Sequence, residues 1–276
     1  MSKLKKTLFS LILIAIVCGS FLFWVSQQYT VPILDYHSFE DIEWSPTVTS
    51  ENFSRQLEYI KKKGYDVITL DELVEGIRSG RRFKKNKVVI TIDDGYSDNF
   101  KYAYPALKKF GFPATVFIIA AFIGEDPDYL TWDEVKVMAN DGISFGSHTV
   151  NHLCLENVLD DEVLEEEIAG SKKLIERKLG KPVDYFCYPV GAFTEKAKKV
   201  VIESGYKAAF TTNRGLAKLN KDLYELRRIK VTNSDTHKPF GFWIKLSGYY
   251  NIFRSTKKGS SVYENIDYYH LESEIE

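Results

Sequence analysis

Residues 87–99 read KVVITIDDGYSDN. Val88 to Ile92 are β-branched throughout, as suits a strand buried on both faces. Asp93 and Asp94 follow at once, and Gly95 lets the backbone turn away. Two carboxylates this close repel if both stay ionised away from water. A cation beside them relieves the repulsion. An Asp N-cap next to a solvated neighbour is the plainer reading of the same pair.

Working outward, strand-like and helix-like stretches alternate. VPILDYH (31–37), DVITL (66–70), VVITI (88–92), ATVFIIA (114–120), ISFGSH (143–148), DYFCYP (184–189), AAFTT (208–212) and RRIKV (227–231) read as strands. Between them, Phe53, Leu57 and Ile60 recur at helical spacing, and helices are predicted from Asp71 to about Ile77, over Tyr102–Phe110 and from about Trp132 to Ala139. Further helices are predicted over Asp161–Leu179 and Glu195–Ser204, the last two stopped by Gly180 and Gly205. Strands separated by helices imply a parallel sheet, either a (β/α) barrel or a doubly wound sheet. Both architectures put their chemistry at the C-terminal ends of strands.

The polar residues that stand out lie at those ends. His148 and His152, in SHTVNH, are spaced to converge on one metal, on a helix or across a tight turn. Two histidines and one carboxylate form a hydrolytic metal set that leaves a position open for water, and the second carboxylate can then act as base. His37 ends VPILDYH and has the chemistry to protonate a leaving group near neutral pH. His237 and His270 are given no role.

The N-terminus differs in kind. Lys3, Lys5 and Lys6 precede an uncharged run, residues 7–25, about long enough to cross a bilayer. The lysines keep their end in the cytoplasm. A signal anchor (1–30 with its joint) is therefore expected, with the rest of the chain outside the cytoplasm; a long cleaved signal peptide is the alternative. The domain boundaries predicted are 31–236 for a catalytic unit and 237–276 for an aromatic-rich extension, read as packing on the barrel. Of 276 residues, 44% are hydrophobic and 27% charged, with net charge −1, so no global charge recruits nucleic acid. Cys154 and Cys187 could pair in an oxidising compartment, and two buried free thiols is the reading preferred.

ITIDDG, SHTVNH and CYPVG together resemble the first three motifs of the polysaccharide deacetylases, the carbohydrate esterases with a NodB-like domain. The similarity runs in order from about Val31 to Val231. VPILDYHSF resembles the circularly shifted subgroup that includes poly-N-acetylglucosamine deacetylases, where the acid histidine comes from the N-terminal strand. The resemblance implies a distorted (β/α) barrel in an α/β protein. It implies a divalent metal, zinc most often, bound by Asp94, His148 and His152, with Asp93 as base and His37 as acid. It also implies that the backbone N–H of Val190 stabilises the oxyanion, and that an N-acetylated polysaccharide is the substrate. One departure stands out: Cys187-Tyr188-Pro189-Val190 lacks the arginine of the family's R-x-P-Y motif. Arg228 is either its replacement from another strand end or a surface cation. Trp132 is a sugar-stacking ring or a core aromatic. An O-acetyl esterase and a catalytically silent glycan-binding module remain the rival functions.

Overall fold

The computed structural model describes residues 3–40, 47–212 and 220–252, with side chains from residue 7. His270 and most of the polar C-terminal end lie outside the described residues. In chain order the elements are α1 (Lys3–Ser26), β1 (Ile33–Tyr36), α2 (Ser50–Lys62), β2 (Asp66–Val67), α3 (Leu70–Arg78), β3 (Lys87–Ile92), α4 (Tyr104–Phe110), β4 (Thr115–Ile118), α5 (Trp132–Asn140) and β5 (Ser144–Ser147). They continue with α6 (Asp161–Glu165), α7 (Ser171–Leu179), β6 (Tyr185–Cys187), α8 (Glu195–Glu203), β7 (Ala208–Thr211), β8 (Leu226–Arg227), β9 (Ile229–Lys230), α9 (Asn233–His237) and α10 (Pro239–Leu246).

The strand order is β8-β7-β6-β5-β4-β3-β1-β9, with β2 added beside β3. Every pair in it is parallel. Strands β8 and β9 stand at opposite ends of this order, yet only Arg228 separates them in sequence. The two ends of the sheet therefore meet at Arg228, and the sheet is a nearly closed barrel rather than an open one. The predicted strand RRIKV is thus two short strands, because its second residue, Arg228, leaves one sheet edge and leads into the other. Its backbone N–H donates to Thr211 O (3.0 Å), and Val231 N–H to Asp35 O (3.1 Å).

Alternation along the strands builds two apolar layers. Leu34, Tyr36, Ile90, Ile92, Val116, Ile118 and Phe186 face outward under the helices. Ile33, Val89, Phe117, Tyr185, Cys187 and Phe210 face the barrel interior. Fully burying each large apolar side chain contributes about 1.5–3 kcal/mol, so both layers drive folding. Neither layer uses α1; Val31 is the first buried residue of either. Among the described residues the two cores are therefore built without that helix. Within α1, Thr7–Ser26 is 20 residues of mean hydropathy 2.6, none of it buried.

Two helices depart from the predicted form. The stretch 161–179 is not one α-helix: a π turn at Glu166–Gly170 separates α6 from α7. Another π turn, Asn99–Ala103, leads into α4. DVITL keeps only two residues as strand, because Thr69 caps α3 by accepting from Glu72 N–H (3.1 Å). Trp132 opens α5 and packs against the outer core, as the core reading has it. In α10, Phe242 and Leu246 are buried, which is the packing predicted for the aromatic extension; Phe240 and Trp243 stay exposed.

Gly146 lies where β5 passes Phe117. A Cβ there would come within 2.5 Å of the Phe117 ring and 2.9 Å of Tyr185 O. Gly146→Ala is expected to lower stability by about 1–3 kcal/mol through overpacking, read as a lower urea midpoint. An unchanged midpoint would contradict this account of the interior.

Candidate active site

Five strand ends converge at one mouth of the barrel. Register places β1 beside β3, so that Asp93 N–H donates to Tyr36 O (2.8 Å) and His37 lies level with Asp93. His148 follows β5, next to the end of β6. Arg228 enters from the seam.

Asp94 and His152 both have positive φ, 71° and 62°. Such backbone costs about 1–3 kcal/mol each and persists where neighbours over-determine it. Around Asp94, Gly95 N–H donates to Asp93 O (2.9 Å) and Leu130 N–H to Gly95 O (2.9 Å). Gly95 itself sits at φ 82°, with Ile118 too close for a Cβ. Around His152, its own N–H donates to Thr149 Oγ1 (2.9 Å). Buried Glu167 accepts from Asn151 N–H (2.9 Å) and Asn151 Nδ2 (2.6 Å). Glu167 belongs to the π turn between α6 and α7, so that irregularity fixes the histidine turn.

Asp94 Oδ1 is 3.5 Å from His148 Nε2 and 3.5 Å from His152 Nε2. Donors around a tetrahedral zinc at ~2.1 Å lie roughly 3.4 Å apart, so the spacing fits a divalent ion. The tautomer fits too. His148 Nδ1 donates to Cys187 O (2.8 Å), a group that can only accept, which leaves Nε2 with its lone pair toward Asp94. Burial, the largest influence, lowers the His148 pKa to about 4, so the ring is neutral at physiological pH. Asp93, His148 and Cys187 are also close enough to share an ion. That set is a poorer candidate, because burial holds Cys187 well above the usual thiol range and Asp93 is already engaged.

Arg228 is not a surface cation. It is buried, with Nη1 2.6 Å from Asp93 Oδ1 and Nη2 2.5 Å from Asp93 Oδ2. Nη1 also donates to Thr91 Oγ1 (3.1 Å) and Nη2 to Cys187 Sγ (3.0 Å). Its guanidinium carbon lies 5.6 Å from the centroid of the Phe117 ring. Burial alone would raise the Asp93 pKa, but the Arg228 guanidinium outweighs it and holds the carboxyl well below the usual range. Asp93 is a carboxylate at any working pH.

His37 is partly open to solvent, its Nε2 3.9 Å from Asp93 Oδ2. Asn99 Nδ2 donates to His37 O (3.1 Å), and Asp98 accepts from Phe39 N–H (2.6 Å) and Ser38 Oγ (2.7 Å). The end of the opening stretch, Asp98 and Asn99, therefore pins the segment that carries His37.

Asp35 escaped the sequence reading. It is buried, 3.3 Å from Arg228 Nη1 and 3.7 Å from His37 Nδ1. Burial pushes its pKa up, against the pull of Arg228 and His37. The signal was present: in L-D-Y-H, residues 35 and 37 share one face of a strand. Thr91 and Cys187 follow by the same alternation from Asp93 and Tyr185. Val190 lies in a tight turn, Pro189–Gly191, at φ 51°, an outlier for a β-branched residue. Thr211 Oγ1 donates to Gly191 O (2.6 Å) and Thr212 Oγ1 to Val190 O (3.3 Å), which hold the turn. Cys154 and Cys187 are free thiols, Cys187 buried and Cys154 only partly so; Cys18 is free as well.

A family model described as polysaccharide deacetylase matches residues 80–209. YxkH of Bacillus subtilis (strain 168), itself named among the polysaccharide deacetylases, is 35% identical over 224 residues, 80% of this chain and 79% of its own. This chain belongs to the polysaccharide deacetylase family. A poly-β-1,6-N-acetyl-D-glucosamine N-deacetylase of Staphylococcus aureus (strain MSSA476) is 26% identical over 199 residues, 68% of each chain. Among solved structures, the Streptococcus pyogenes deacetylase PplD in complex with acetate superposes with TM-score 0.71 at 28% identity, covering 76% of this chain and 96% of its own. IcaB from Ammonifex degensii shares the fold, with TM-score 0.67 at 22% identity over 78% of this chain and 97% of its own.

Within this deacetylase the charge balance at Arg228 is testable. Arg228→Met strands Asp35 and Asp93 as buried carboxylates, and about 3–5 kcal/mol of stability should be lost at pH 7. Thermal unfolding across pH reads it: protonating the two acids should narrow the deficit as pH falls. His148 gives a second pH test, on chelator-treated protein. Its folded pKa is depressed, so the unfolded chain binds the proton first, and stability should fall as pH drops from about 6.5 to about 4. His148→Gln should flatten that part of the profile.

Proposed function

We propose that the chain is a metal-dependent N-deacetylase of an extracellular N-acetylglucosamine polysaccharide, either an exopolysaccharide or peptidoglycan. The observation that carries this reading is the meeting of Asp94, His148 and His152 beside an Arg228-held Asp93, with His37 on the same mouth. The Staphylococcus aureus relative supports the N-acetylglucosamine class. The apolar helix Thr7–Ser26 supports membrane anchoring with the barrel outside the cytoplasm.

Asp94, His148 and His152 would hold the ion, with zinc the expected species, which when bound supplies Lewis-acid activation of water and of the acetyl carbonyl. Asp93 takes the proton of the attacking water. Arg228 keeps it ionised and oriented while lowering its basicity. His37 gives a proton to the departing sugar amine, and acetate is left. The Val190 turn offers its backbone N–H to the developing oxyanion. Tyr96 and Tyr129 stack at 5.1 Å between centroids, and burial, helped by the Asp94 charge, raises the Tyr129 pKa. This ring pair, rather than Trp132, is placed to carry a sugar face.

Acetate release from chitooligosaccharides and poly-N-acetylglucosamine, with and without chelator, tests the reaction. Asp93→Asn should cut turnover at least ~10²-fold, in line with loss of a general base, while metal content by elemental analysis is unchanged. His148→Ala should lose the metal itself. Substantial turnover by Asp93→Asn would remove Asp93 as the base. Release from acetylated xylan alone would favour the O-acetyl esterase.

A further inference from the structure

We propose that the base of the barrel, opposite the catalytic mouth, is a seat for anionic lipid headgroups. The inference rests on reading α1 as a membrane span. Its elements are the basic turn Arg81, Arg82, Lys84 and Lys85, and the ring pair Tyr29 and Tyr249. All four cations are exposed. The turn joins α3 to the N-terminal end of β3, so it lies at the opposite end of that strand from Asp93 and Asp94.

The exit of α1 is fixed to this turn. Tyr29 follows the last residue of α1 by three positions, a reach of at most ~10 Å. Its hydroxyl donates to Lys84 O (3.0 Å), and Lys85 Nζ lies 5.2 Å from the Tyr249 ring centroid. Tyr29 meets Tyr249 edge-on at 5.8 Å, and Thr30 N–H donates to Gly248 O (3.1 Å). A Cβ on Gly248 would lie 2.3 Å from the Tyr29 ring, so glycine permits this docking. The joint is built into the body rather than left as a tether.

The local charge is positive. Lys87 engages Asp66 (2.5 Å) and Glu72 (3.2 Å), and Asp71 accepts from the Tyr185 hydroxyl. Glu75 is exposed, and the segment 66–87 sets Arg78, Arg81, Arg82, Lys84, Lys85 and Lys87 against Asp66, Asp71, Glu72 and Glu75, six cations to four acids. A basic cluster within a Debye length of a span end attracts an anionic leaflet, and tyrosines suit the headgroup layer. Seated this way, the six-residue strand β3 holds the catalytic mouth roughly 20 Å above the lipid. The mouth then faces outward, toward a polymer in the surrounding matrix.

Residues 27–276, which retain both cores, supply the test by co-sedimentation with phosphatidylcholine vesicles with or without phosphatidylglycerol. Binding is expected only with phosphatidylglycerol, and R82Q/K84Q/K85Q should weaken it roughly tenfold or more. Thermal unfolding and acetate release by that variant should match the parent. Equal binding to both vesicles, no binding to either, or full binding by the variant would overturn the seat. Retention on heparin without vesicle binding would assign the patch to a soluble polyanion instead. Alkaline carbonate extraction of the full chain from membranes tests the span separately. Release there defeats the anchor reading, whatever the vesicles show.

Discussion

Asp35 and Asp93 are two carboxylates buried on neighbouring strands, and Arg228 is the cation that lets both remain there. Removing ionised groups from water costs several kcal/mol each, and only close, well-formed pairing offsets it. The guanidinium does this with a planar fork, both ends of which meet Asp93. Because Arg228 is also the single residue between β8 and β9, the same interaction sits at the barrel's seam. Closing the sheet and charging the site are one event. A lysine would supply the charge without the second bond.

The interior of the barrel is divided by height. Ile33, Val89 and Tyr185 fill the lower part with apolar packing, and Phe117 and Phe210 reach up to the level of the polar groups. Asp35, Thr91, Asp93, Cys187, His148 and Arg228 occupy the upper part, joined by hydrogen bonds and ion pairs. Low polarity beneath strengthens every charge interaction above it. That is why Asp93 is held so firmly as an anion and His148 as a neutral ring, the two states the proposed chemistry uses. Strain gathers at the same height: Asp94, Thr149, His152 and Val190 all carry positive φ. The π turn bearing Glu167 and the threonines at the end of β7, Thr211 and Thr212, hold the His152 and Val190 turns in place.

Much was legible from the chain. The alternation of strands and helices, the DDG turn, the SHTVNH pair and the histidine that ends LDYH all depend on local pattern, which sequence displays directly. The parallel barrel, the free thiols and the packing of Trp132 and of the inner face of α10 agree with that reading. Asp35 was missed, although strand alternation pointed to it, because a buried acid beside a histidine looks in sequence like an ordinary polar residue on a strand. The π turns were invisible because one extra residue in a helical turn leaves the apolar spacing almost unchanged.

The sequence by itself determined which residues carry charge or offer metal-ligating atoms, and which face of each strand they occupy, since side-chain direction follows residue spacing. Only the tertiary structure decided that Arg228 is buried against Asp93, that β8 and β9 lie at opposite ends of the strand order, and that Lys84 lies against the exit of α1. Each of these joins residues far apart in the chain. Such contacts are set by how the sheet closes, and closure is a property of all the strands together.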